Sequence, residues 1–87
     1  MTLEELLTKS CYGHLYYAIV VARFMDEDGY TTDFIYKGYA IENVNFLKYL
    51  PKEILYKGVE RFEKYDGYGL DKDGRIVKVD FKIVINY

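Results

Sequence analysis

Residues 12–25 read Tyr-Gly-His-Leu-Tyr-Tyr-Ala-Ile-Val-Val-Ala-Arg-Phe-Met, a run rich in aromatic and β-branched residues in which neither alternating set is polar. In an extended chain Tyr16, Ala18, Val20 and Phe24 point one way, and Leu15, Tyr17, Ile19 and Val21 point the other. A strand that is apolar in both phases has to be covered on both faces. The run therefore predicts a central strand, and the rest of the chain must supply two covers.

The flanking sequence suggests how. Thr2 followed by Glu5 fits a capping box, and Leu3, Leu6 and Leu7 share one face of a short N-terminal helix. Residues 26–29, Asp-Glu-Asp-Gly, are a turn signal because Asp tolerates bridging and left-handed conformations and Gly reaches positive φ without strain. Residues 30–41 then alternate, with Thr32, Phe34, Tyr36 and Ala40 against Asp33, Ile35, Lys37 and Tyr39, as a second strand antiparallel to the first. Pro51 suits the first position of a helix. Ile54, Leu55, Val59 and Phe62 form a helical stripe, Glu53 with Lys57 and Glu60 with Lys64 are i, i+4 pairs, and Gly67 can close the end. Gly58 disfavours that helix and keeps a strand over residues 59–65 as the rival. Residues 75–87 alternate Val77, Val79, Phe81, Ile83 and Ile85 against Lys78, Asp80, Lys82 and Asn86, the clearest strand pattern in the chain.

The expected fold is α+β: a single domain over residues 1–87 with a three-stranded antiparallel sheet, order 2-1-3, and one main covering helix. The short N-terminal helix is then left to shield part of the opposite face. At 87 residues one small core is all the chain can enclose, and 51% hydrophobic with 18% aromatic residues excludes a disordered chain. The longest apolar run, residues 15–22, is far shorter than the roughly 20 residues needed to span a bilayer, so no membrane association is expected. Its first ten residues carry two glutamates and no apolar core of the secretory kind. With the lone Cys11 this points to a reducing, cytoplasmic location.

Several patterns invite a chemical reading. Residues 68–80, Tyr-Gly-Leu-Asp-Lys-Asp-Gly-Arg-Ile-Val-Lys-Val-Asp, place Asp71, Asp73, Gly74, Ile76 and Asp80 as in a calcium-binding EF-hand loop. With Gly74 as the sixth position, however, the first is Gly69, which has no ligand, and the last is Asp80, too short for the usual bidentate Glu. Such a loop must also lead into a helix, whereas a strand follows. A tight turn is expected there, and no metal. Cys11 and His14 are single residues of their kinds, too few for a zinc site in one chain. The glycines of residues 66–74 follow the expected helix and open a strand, the reverse of a phosphate-binding loop. Lys48, Lys52, Lys57, Arg61 and Lys64 alternate with Glu53, Glu60 and Glu63, which reads as a solvated face, and a net charge of −2 gives little attraction for a polyphosphate.

The unusual feature is tyrosine, 11 of 87 residues with no tryptophan. Tyrosine combines a large rigid surface with a polar tip and is enriched at protein interfaces. With one phase of the central strand expected to lie poorly covered, Leu15, Tyr17, Ile19 and Tyr39 are the candidate interaction residues. In size and in its Tyr-, Lys-, Glu- and Ile-rich composition the chain resembles short accessory proteins of phages and archaeal viruses, many of which block host defence or repair enzymes. The resemblance implies a non-enzymatic inhibitor that occupies the surface of a host protein, or a homodimer, with no cofactor. The alternative is a nucleic-acid or nucleotide binder that stacks bases on sheet tyrosines.

Overall fold

A computed structural model describes residues 1–9 and 15–87, and the described part of the doubly apolar run, from Tyr17 to Met25, lies inside its sheet. The element order is α1 (Leu3–Lys9), β1 (Tyr17–Met25), β2 (Thr31–Ile35), β3 (Ile41–Glu42), α2 (Phe46–Tyr49), α3 (Lys52–Leu55), β4 (Val59–Leu70) and β5 (Ile76–Asn86). The strands form one mixed sheet in the order β2-β1-β5-β4, with the short β3 also paired to β1. This overturns the expected three-stranded antiparallel sheet of order 2-1-3 with one main helix. β1 runs antiparallel to β2 and β3 but parallel to β5, with Ala18 opposite Phe81, Val20 opposite Ile83 and Ala22 opposite Ile85.

One misread segment accounts for the change. Residues 59–70 form a strand, not the second half of a helix, so the chain reverses once more before its last strand and β5 emerges parallel to β1. The helical stripe is real but has another cause. Val59 pairs with Ile85 and Arg61 with Val84, so Glu60 is an extra residue in a β-bulge. Val59 and Phe62, three apart, consequently both pack on the same core. Only Lys52–Leu55 is helical, with Pro51 as its N-cap, and Gly67 lies inside β4. The expected Glu60–Lys64 helical pair gives way to Glu60 bonding Arg23 at 2.8 Å.

The second expected strand is likewise divided. Val21 pairs with Ile35 and Ala18 with Ile41, so residues 36–40 leave the sheet between two stretches that both pair with β1. Lys37 (φ 63°) and Gly38 (φ 75°) make that excursion, the lysine in a conformation that L-residues adopt sparingly. At the chain start Glu5 donates its amide to Thr2 Oγ1 at 3.2 Å, as a helix cap requires.

The two faces of β1 are covered by different means. Ala18, Val20 and Ala22 join Ile83 and Ile85 of β5 in the larger core, closed by Leu3, Phe46, Leu50, Ile54 and Leu55 from the helical segments. At about 1.5–3 kcal/mol for each large apolar side chain withdrawn from water, this cluster dominates the stability. α1 therefore sits on the same side as α2 and α3, not on the opposite face. That opposite face is covered by the chain's own β4–β5 hairpin: Ile19, Val21 and Val84 pack with Val79, Val77 and Ala40. A second bulge between Lys64 and Gly67 lets the hairpin curl back until Leu70 accepts a hydrogen bond from the Ala40 amide at 2.7 Å.

Candidate functional site

The curled hairpin brings its tip over the start of β1 and makes a cleft. Tyr17 from β1, Tyr39 from the 36–40 excursion and Tyr49 from α2 line it, with Glu42 of β3, Asn45 and the hairpin-turn residues Asp71, Lys72 and Asp73. Its volume is about 80 Å³. Tyr17 donates its hydroxyl to Glu42 Oε1 at 2.9 Å, and Asn45 Nδ2 donates to Glu42 Oε2 at 2.7 Å. The Tyr17 phenol is held above its ordinary pKa by that bond to a carboxylate, with burial and the charge of Glu42 adding to it. Across the cleft Lys72 Nζ donates to the Tyr49 hydroxyl at 2.9 Å and lies 4.9 Å from the centre of its ring. This bond and the ammonium charge lower the Tyr49 pKa, and the same bond and the charge of the ionised Tyr49 phenol raise that of Lys72.

The hairpin turn that supplies Lys72 is held by its own first carboxylate. Asp71 Oδ1 accepts from the amides of Asp73 and Arg75, both at 2.9 Å, while Gly74 adopts φ 80°. The β1–β2 turn repeats it: Asp26 Oδ1 accepts from Asp28 at 3.0 Å and Tyr30 at 2.8 Å, and Gly29 adopts φ 85°. Both Asp-x-Asp-Gly motifs thus use their first carboxylate to hold backbone amides. Among the described residues no group of His, Cys, Asp and Glu is placed to hold a metal ion. Cys11 and His14 lie outside the described residues. No helix among the described residues is long and apolar enough to cross a membrane.

The candidate interaction residues are dispersed. Tyr17 and Tyr39 come together as half-buried walls of the cleft. Ile19 is only 8% exposed, packed under the hairpin. Leu15, 57% exposed, lies elsewhere, at the rim of a shallow depression with Tyr65, Asp66 and Phe81. Among the described residues the apolar centre of the face opposite the helices, Ile19, Val21 and Val84, is buried under the hairpin and carries no stack of tyrosines.

What the sequence did not point to is an exposed edge. β2 and β4 are the outer strands, and they differ. β4 carries Glu60, Arg61, Glu63, Lys64 and Asp66 and two bulges, the usual protections against pairing with another chain. β2, Thr-Thr-Asp-Phe-Ile, is exposed at all five positions and has no Lys, Pro or bulge. Its one charge, Asp33, is drawn back into the sheet by Arg23, which donates Nε and Nη2 to the two carboxylate oxygens at 2.9 Å. Phe24, Met25, Tyr30, Phe34, Ile35 and Tyr87 are exposed on or beside it, with Phe34 and Tyr87 in edge-to-face contact at 5.7 Å. A five-residue Thr-Thr-Asp-Phe-Ile run free of Lys and Pro was a visible signal, but recognising it needs knowledge of which strands are outermost. No protein-family model, curated protein or solved structure matches this chain.

Proposed function

We propose that the chain is a non-enzymatic protein-interaction module that docks through the free edge of β2, with a second copy of itself as the partner. The unprotected β2, set against a well-guarded β4, is the observation that carries this reading. Strand addition at such an edge gains main-chain hydrogen bonds and removes the surrounding apolar side chains from water.

Strand chemistry selects a register. A two-fold axis normal to the sheet centres an antiparallel pairing on one residue. Centring on Asp33 sets two carboxylates opposite one another, and centring on Phe34 runs Thr32 against Tyr36, where the helical turn begins. Centring on Thr32 places Thr32 opposite its own copy, Asp33 opposite Thr31, and Phe34 opposite Tyr30 twice. Threonine and aromatic pairs of this kind are the favourable ones. A host protein presenting an extended apolar segment would use the same edge, which is how such a module inhibits.

Five residues make a short seam, so the association is weak, with a dissociation constant on the order of 100 μM. Sedimentation and light scattering over a concentration series test it. Wild type should dimerise, and Thr32→Lys, which puts two ammonium groups opposite one another on an exposed strand, should remain monomeric with its melting temperature as a monomer little changed. A wild type that stays monomeric into the millimolar range refutes the proposal.

A further inference from the structure

The tyrosine-lined cleft has chemistry that the β2 edge does not use. It sits at the start of β1, where β3 pairs, whereas β2 pairs along the far half of that strand. Its walls are three phenol rings, Tyr17, Tyr39 and Tyr49, and its charged groups are Glu42, Asp71 and Asp73 against Lys72, with the Lys48 ammonium 5.5 Å from the centre of the Tyr49 ring. Both oxygens of Glu42 are engaged by neutral donors, Tyr17 and Asn45, so its charge is fixed in place without being neutralised by those bonds. Aromatic faces next to an oriented carboxylate are the elements that recognise a desolvated ammonium ion. The chain itself places an ammonium here: Lys72 hydrogen-bonds the Tyr49 hydroxyl at 2.9 Å and lies 4.9 Å from the ring centre, at the hydroxyl edge of the ring.

We infer that this cleft binds an alkylammonium group, seated against the tyrosine rings with its N–H donors directed at Glu42, and that Lys72 competes for the same place. Size narrows the ligand. At about 80 Å³ the cleft takes an ammonium head and the start of its stem, far from the roughly 300–1,000 Å³ of pockets that enclose a whole nucleotide or cofactor. The group therefore arrives as the end of something longer, either a lysine side chain of a protein or a free aliphatic amine. Anions are disfavoured by the three carboxylates, and a neutral alcohol gains nothing from the charge of Glu42.

The test is an amide chemical-shift titration of the full chain with n-butylammonium chloride, at ionic strength held constant with sodium chloride. Saturable shifts at Ala40, Glu42 and Asp73, with a dissociation constant on the order of 1 mM, are expected. Neutral n-butanol should leave those amides unshifted. Glu42→Gln keeps an acceptor for Tyr17 but removes the charge, and should weaken binding about tenfold, the scale of one charge-assisted hydrogen bond. Lys72→Gln removes the internal competitor and should tighten binding several-fold, a gain that misfolding would not produce. Acetyl-lysine methylamide, with its side-chain amine free, binding more tightly than butylammonium supports the protein source, and spermidine binding more tightly supports the free amine. No saturable shift in wild type, an equal response to butanol, or a Lys72→Gln variant that binds more weakly overturns the inference.

Discussion

Val20 of β1 and Val84 of β5 are each 0% exposed, yet they lie in opposite cores, Val20 under the helices and Val84 under the curled hairpin. Substituting alanine at either removes two methyl groups, worth about 1.5 kcal/mol of transfer free energy at roughly 0.8 kcal/mol per carbon. A cavity of about 40 Å³ that fails to collapse adds close to 1 kcal/mol at about 24 cal/mol per Å³. Each variant should therefore lose about 2.5 kcal/mol out of the roughly 4–13 kcal/mol expected of a domain this size. In urea, with a slope of about 1 kcal/mol per molar, both midpoints should fall by about 2.5 M, equally and independently of protein concentration. The comparison is decisive because a partner-covered face behaves differently. If Val84→Ala costs under about 0.5 kcal/mol in dilute protein while Val20→Ala costs the full amount, the hairpin does not cover the second face. A loss that grows with protein concentration would mean that another copy does so.

Two further predictions concern the acids. Asp71→Asn keeps the oxygen that accepts the Asp73 and Arg75 amides and should be nearly neutral, whereas Asp71→Ala should cost about 1 kcal/mol in thermal or urea unfolding; a melting temperature that rises with calcium and loses that rise in Asp71→Asn would restore a metal reading. The Arg23 guanidinium, bonded to Asp33, holds its carboxyl below the ordinary 3.8. A lowered folded pKa stabilises fully above the unfolded value and is lost as pH falls through the folded one. Wild type should therefore lose melting temperature more steeply than Asp33→Asn as pH drops from about 4 to 2, and parallel curves would refute that linkage.

Where the sequence was legible, one physical signal acted alone. The two Asp-x-Asp-Gly turns, the Thr2 cap, the central position of β1, the antiparallel β1–β2 pair and the burial of Ile54 and Leu55 all follow from local chemistry. The failure at residues 59–70 came from a coincidence of periods. A bulge at Glu60 converts the strand's two-residue repeat into a three-residue step from Val59 to Phe62, which is also a helical step. The acidic and basic residues four apart deepened the resemblance, although in the fold Glu60 reaches across β5 to Arg23. Of the cleft, Tyr17 and Tyr39 were visible as unusual tyrosines. Glu42, Tyr49 and Lys72 were not, because Glu42 meets Tyr17 only through the β1–β3 pairing and Lys72 reaches Tyr49 only through the curl of the hairpin.

That curl also explains how so short a chain covers both phases of β1. The helical segments are brief, and all of them lie on one side, so the second cover has to come from the sheet itself. The second bulge supplies the bend, and glycines at the crossing allow the approach. A Cβ on Gly69 would stand 3.2 Å from Val79 Cγ2 and 3.8 Å from the Ala40 side chain, and one on Gly67 would meet the Tyr65 ring at 2.7 Å. A side chain at Gly69 would thus press on Val79 across the hairpin, beside the excursion that carries Ala40. Covering the face in this way has two geometric consequences. The hairpin tip must end beside the start of β1, which creates the tyrosine cleft. The hairpin strands are also on the far side of β1 from β2, and do not pair with it. The free edge and the cleft therefore follow from a single solution to the constraint set by the central strand, and they lie at opposite ends of it.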